Sequence, residues 1–157
     1  MIKLIADSML GGLVRWLRLL GLDVEYDPTL TTPRILNKAR RDGRVIVTRS
    51  FRKVMDLPED EYLCIFHDDP RRQILEVTSG LALQLDTALY FTRCLLDNAQ
   101  LVPEDKENLK NKVPPYVYAN QTLFARCPAC DRIYWPGTHY SRMLAIIEEL
   151  GLPVKEG

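Results

Sequence analysis

Asp7 follows a short apolar run, Ile2–Ala6, and opens a segment, residues 8–20, whose apolar residues recur at helical spacing. Thr48-Arg49-Ser50 follows a β-branched run, Val45–Val47, in the same way. In open parallel α/β sheets, ligands bind beyond the carboxyl ends of the strands. If these two runs are neighbouring strands, Asp7, Thr48, Arg49 and Ser50 meet on one edge. Asp23 and Asp27 flank a third strand-like segment, Val24–Tyr26, and are expected to approach that edge as well. Carboxylates gathered there would hold a hard cation, Mg²⁺ or Mn²⁺, through oxygen ligands. Such an ion activates water and clamps a phosphate during in-line attack. On this reading Asp7 and Asp23 hold the ion, and Ser50 or Asp27 completes its shell. The plainer alternative makes Asp7 or Ser8 a helix cap worth about 1 kcal/mol.

Two arginines stand out inside the first helical segment. Arg15 and Arg18 share a stripe with Gly11, although the segment is largely apolar. They either face incoming phosphates or hold Asp7 and Asp23 in place. Residues 1–56 carry eleven Lys/Arg against six Asp/Glu, whereas the whole chain is neutral. A basic first half suits a polyanionic partner. Arg40, Arg41 and Arg44 are read more simply, as solvated charges favouring a helix end.

The cysteines form a second candidate site. Cys127-Pro128-Ala129-Cys130 has zinc-knuckle spacing, and Cys94-Leu95-Leu96-Asp97 repeats it with aspartate in the last place. Structural zinc usually takes Cys₄, Cys₃His or Cys₂His₂, and a carboxylate oxygen is also an accepted ligand. Asp97 and His139 are therefore both candidates for the fourth ligand. Without a metal, apolar contacts of Tyr116, Tyr118, Phe124, Tyr134 and Trp135 would have to hold this region. Cys64, in the apolar run Tyr62–Phe66, reads as a core thiol.

These residues need a scaffold. Strand-like runs at 2–6, 24–26, 45–47 and 62–66 alternate with helical patterns at 8–20, 33–41, 51–55 and 70–85. The alternation predicts an α/β unit with a mostly parallel sheet flanked by helices. After about residue 88 the character changes. Residues 103–112 are polar, Val113-Pro114-Pro115 is extended, short strands flank Cys127–Cys130, and a helix is expected over 138–150, stopping at Gly151. Two units follow, residues 1–88 and a small ribbon-like module over 89–157. No apolar run is long enough to span a bilayer, and no secretory pattern opens the chain. A soluble, cytoplasmic protein is expected, and in that compartment the four cysteines are thiols or metal ligands.

Several stretches together carry a family resemblance: Ala6-Asp7-Ser8-Met9-Leu10-Gly11, Leu13 through Asp23, Gly43 through Arg49, Arg93-Cys94, Val113-Pro114-Pro115, Cys127–Cys130, and Tyr134-Trp135-Pro136-Gly137-Thr138-His139. In this order the chain resembles the Mut-seven C-terminal RNase domain family. The resemblance implies a PIN-like α/β nuclease fold followed by a zinc ribbon, and a cluster of acids holding Mg²⁺ or Mn²⁺. Asp7 matches the first of those acids, and Asp23 a recurrent one. Three departures reduce the donor set. Ser50 stands where the family usually has aspartate, Thr31-Thr32-Pro33 where an acid often begins the second helix, and Asp97 where the ribbon usually has cysteine.

The leading expectation is a divalent-metal-dependent ribonuclease with a depleted acidic cluster, using Asp7, Asp23 and Ser50. Arg15, Arg18 and Arg49 would then steer RNA. The alternative is a catalytically silent module that binds RNA or a protein. There the basic half meets phosphates, and Tyr134, Trp135 and His139 add contacts from the ribbon. A toxin- or antitoxin-like interaction protein, homodimeric or bound to a protein partner, is the third reading.

Overall fold

The structure is a computed structural model and describes residues 1–155; residues 156 and 157 of the expected second module lie outside them. Four short strands form one parallel sheet: β1 (Lys3–Ala6), β2 (Asp23–Tyr26), β3 (Val45–Thr48) and β4 (Tyr62–Cys64), in the order β2-β1-β3-β4. Helix α1 (Gly11–Leu19) connects β1 to β2, α2 (Thr32–Asp42) connects β2 to β3, and α3 (Pro70–Gly80) follows β4. The expected α/β unit is therefore present. Strand β1 explains the layering. Its side chains alternate between faces. Leu4 and Ala6 enter the core shared with Leu13 and Leu17 of α1 and Ile74 and Val77 of α3. Ile5 enters a second core with Ile35 and Ala39 of α2. The sheet is thus covered on both sides, as a parallel sheet requires.

The remainder is a small antiparallel sheet of β5 (Val102–Glu104), β6 (Phe124–Arg126) and β7 (Ile133–Tyr134), with helices α4 (Pro115–Asn120) and α5 (Thr138–Glu149). Leu109, Val113 and Phe124 form its own core. Helix α5 packs elsewhere: Met143 and Ile147 enter the first core beside Leu17 and Tyr90. Among the described residues, no helix is long and apolar enough to cross a membrane.

Several boundaries differ from the sequence reading. The helix expected from residue 8 opens with a 3₁₀ turn, Ser8–Leu10, because Asp7 caps it. The helix expected to reach residue 85 stops at Gly80, and Ala82 turns the chain with a left-handed φ of 47°. The helix expected over 51–55 is a 3₁₀ turn, Phe51–Lys53. Pro114-Pro115 does not simply extend the chain: Pro115 opens α4, since proline is tolerated in a first helical turn. Cys64 is only partly buried, beside the second core, and burial raises its thiol pKa.

Candidate functional site

Asp7 leaves β1 at its carboxyl end, and its backbone N–H donates to Val47 O at 3.0 Å, which ties it to the end of β3. The carboxylate is almost fully buried, at 4 % exposure, and each of its oxygens is already engaged. Oδ1 accepts the Ser8 backbone N–H at 2.7 Å. Oδ2 accepts the Thr48 hydroxyl at 2.9 Å and the Lys53 ammonium at 3.0 Å. Burial alone would raise the pKa of Asp7; the Lys53 and Thr48 hydrogen bonds outweigh it and hold the carboxyl below its ordinary value. The space beside Asp7 is about 10 Å³, lined partly by Thr48, Lys53 and Val54.

Lys53 is the residue that sequence reasoning missed at this edge. The 3₁₀ turn Phe51–Lys53 folds the chain back, so that an amine five residues beyond Thr48 returns to Asp7. Ser50 stays next to Thr48, where its backbone N–H donates to the Thr48 hydroxyl at 3.0 Å. Arg49 turns to Asp68, just past β4, and forms an ion pair with it. Asp27 sits at the carboxyl end of β2 but closes its own turn, accepting from Thr29 N and Thr29 Oγ1 at 2.9 and 2.7 Å.

Asp23 is not part of this edge, and the expected convergence with Asp7 is corrected by the register. Parallel pairing sets Lys3 beside Asp23 and Ala6 beside Tyr26. Asp23 therefore lies at the amino end of the sheet, roughly 13 Å along the strands from Asp7. There it accepts Arg44 Nη1 at 2.8 Å and Asn98 Nδ2 at 2.7 Å. Asp7 is the buried carboxylate of the carboxyl edge, while Asp27 is committed to its own turn and Asp68 to Arg49, so these acids do not gather around one position. Among the described residues, no group of three or more Asp, Glu, His or Cys side chains converges there.

Arg18 also changes role. It is 3 % exposed and faces no solvent. Nε and Nη2 both donate to Val24 O, at 3.0 and 2.9 Å, and Nη1 donates to Leu95 O at 3.1 Å. It clamps α1 to strand β2 and to the loop carrying Cys94. Arg15, by contrast, is exposed on α1. The two glycines of the first helical turns serve packing: a Cβ on Gly11 would lie 3.1 Å from Tyr26 Oη, and one on Gly12 would lie 3.2 Å from Pro70.

The second site is assembled from both halves of the ribbon. Cys94, Asp97, Cys127 and Cys130 place one ligand atom each within 4.8 Å of the others. The Sγ atoms of Cys94 and Cys130 are 3.8 Å apart. Tetrahedral zinc with Zn–S bonds near 2.3 Å requires sulfurs about 3.8 Å apart, so the set fits a metal such as zinc. Asp97 occupies the fourth corner, with its oxygens 3.2 and 3.3 Å from Cys127 Sγ. Burial, with the carboxylate as acceptor, pushes the Cys127 thiol up to about 12, a state that a metal ion would reverse. The Tyr134 hydroxyl contacts Cys94 Sγ at 3.0 Å and accepts Leu95 N–H at 3.1 Å, bracing the knuckle from outside. His139 does not join this group; it lies in the first turn of α5.

Trp135, Tyr134 and His139 instead line a cleft of about 640 Å³ between the ribbon and α5. It is separate from the Asp7 edge, sharing none of that edge's lining residues.

The family described as the Mut7-C RNAse domain matches residues 2–147. No curated protein and no solved structure matches the chain.

Proposed function

The chain belongs to the Mut7-C RNAse domain family, and from that membership we propose that it is a PIN-like, RNA-binding protein whose acidic edge works without a divalent ion. The observation that carries this reading is the Lys53 ammonium on Asp7. A PIN-like hydrolytic centre needs several carboxylates around Mg²⁺ or Mn²⁺. Here Asp23 faces the opposite end of the sheet, position 50 is serine, Asp27 and Asp68 are held by Thr29 and Arg49, and Asp7 is already paired with an amine. The donor set does not fit the ion, and no hydrolytic step is assigned to one.

What the edge does offer is cationic. Helices α2 and α3 begin at this edge and bring exposed Arg34, Arg71 and Arg72 to it. Exposed Arg52 lies in the 3₁₀ turn beside Lys53. Asp7 and Asp68 at this edge are paired with Lys53 and Arg49, and Asp69 caps α3 by accepting the Arg71 backbone N–H. Such a surface suits a phosphodiester backbone, which binds chiefly by releasing counterions. Zinc, held by Cys94, Asp97, Cys127 and Cys130, would act as a structural staple for the ribbon.

Fluorescence anisotropy with a labelled single-stranded RNA tests this reading, in a buffer free of Mg²⁺ and Mn²⁺. Binding is expected, with log Kd rising linearly against log salt. Arg52→Ala and Arg71→Ala are each expected to weaken it several-fold and to make the salt slope shallower by about 0.7. Affinity and slope unchanged in both variants would move the RNA away from this edge.

A further inference from the structure

We infer that the cleft between the ribbon and α5 is a nucleotide pocket: one unpaired nucleotide of a single-stranded RNA enters it, with its base against Trp135 and its phosphate at the open first turn of α5. This rests on the RNA-binding reading and adds a second, separate contact to it. The cleft volume of about 640 Å³ lies within the range typical of small-molecule sites. Its walls are aromatic, including Phe91, Phe124, Tyr134, Trp135 and Tyr140, and they include Arg93 but neither Asp nor Glu. An anion can therefore enter without meeting a like charge, although acids make up 21 of the 157 residues.

The anion end is built by α5. Its N-cap is Gly137, which has no side chain to cap the helix, and its first turn carries no acid. Ser141 is the first residue whose N–H closes a helical bond, to Gly137 O at 3.1 Å. The preceding N–H groups, at residues 138–140, have no intrahelical acceptor. Gly137, Thr138, His139 and Tyr140 all border the cleft, so those donors and the positive end of the helix dipole lie at its mouth.

The base end is rigid. Phe91 stacks on Tyr140 with ring centroids 3.7 Å apart. It does so from a left-handed backbone, φ 59°, which a bulky residue rarely adopts. Its N–H is held by Leu19 O at 2.8 Å, at the end of α1. Trp135 lies across the helix start: a Cβ on Gly137 would sit 2.9 Å from its Nε1. Glycine there serves two ends, since it admits the indole and leaves the helix uncapped. A partly exposed tryptophan beside uncapped N–H groups matches a base joined to a phosphate, and stacking of this kind accepts any base.

The test uses tryptophan emission. The chain has two tryptophans, so Trp16→Phe leaves Trp135 as the reporter. Adenosine 5′-monophosphate and a labelled ten-nucleotide oligoadenylate are titrated separately. Both are expected to quench Trp135, and adenosine without phosphate is expected to bind more weakly than the monophosphate. In the otherwise native chain, Trp135→Ala is expected to weaken the oligonucleotide about fivefold or more. Thr138→Asp, which favours the helix through its dipole, is expected to weaken both ligands by a similar factor while leaving the fold intact. RNA affinity unchanged in both variants, with no quenching by the monophosphate, would overturn the pocket and leave RNA binding at the strand edge standing. Quenching by the monophosphate without RNA binding would keep the pocket and remove the RNA reading. Neither ligand binding would remove both.

Discussion

Arg18→Ala is expected to cost the fold about 2–5 kcal/mol, a large share of the roughly 5–15 kcal/mol by which domains are stable. The guanidinium is buried and makes three hydrogen bonds to backbone carbonyls, two to Val24 and one to Leu95. Alanine leaves both carbonyls without these donors and a void where the buried side chain lay. The damage reaches beyond α1, because the same side chain joins it to strand β2 and to the Cys94 loop. Arg18→Lys is expected to recover little, since a lysine cannot reproduce the planar fork. Denaturant unfolding measures the effect directly. A loss below about 1 kcal/mol, within the ordinary range of surface substitutions, would show that Arg18 is not the clamp described here.

Stripping the ribbon of its metal is the second large effect. One zinc per chain is expected by elemental analysis, and a strong chelator is expected to unfold the β5–β7 region. Structural zinc contributes on the order of 10–16 kcal/mol in small zinc modules, more than the small core of Leu109, Val113 and Phe124 can supply. Cys127→Ser should produce the same state without chelator, because Cys127 is fully buried at the centre of the set. Asp97→Cys should do the opposite and hold zinc more tightly, since a thiolate is the softer ligand. Unfolding would be read by circular dichroism, and metal release with a chromogenic chelator. A chain that purifies without metal and is indifferent to chelator would contradict the assignment.

Much of this was legible in the sequence, and the failures have specific causes. The strand and helix alternation was readable because each strand is a compact apolar run and each helix repeats its apolar face. The pairing of Asp7 with the end of β3 followed from the rule that sites gather at carboxyl ends of parallel strands. Asp23 is misplaced although chain order was enough to place it: it precedes Val24–Tyr26, and a residue before a strand of a parallel sheet lies at the amino end, as the Lys3–Asp23 register shows. Arg18, inside a largely apolar helix, reads either as a phosphate ligand or as a brace for Asp7 and Asp23, and it bonds backbone carbonyls instead. Such partners leave no trace in the side-chain pattern. Lys53 was overlooked because a 3₁₀ turn brings it back to Asp7, and the sequence pattern suggested an ordinary helical turn. Its signal was present nonetheless: Arg49, Arg52 and Lys53 cluster just after the strand that lacks its usual acid. The repeated knuckle spacing pointed to Cys94, Cys127 and Cys130 and left Asp97 and His139 open for the fourth place; the fold brings Asp97 to the three thiols and leaves His139 on α5.

The most direct test of the central claim, that Lys53 occupies the place of a divalent ion at Asp7, is a cleavage time course on labelled single-stranded RNA. Zinc-loaded wild type and Asp7→Asn are compared in Mn²⁺, in Mg²⁺ and without either ion. The RNA is expected to be bound and to stay intact under all three conditions, with both proteins. Cleavage by wild type that requires Mn²⁺ or Mg²⁺ and disappears in Asp7→Asn would contradict it, and would show that the carboxylate releases the amine to hold a catalytic metal.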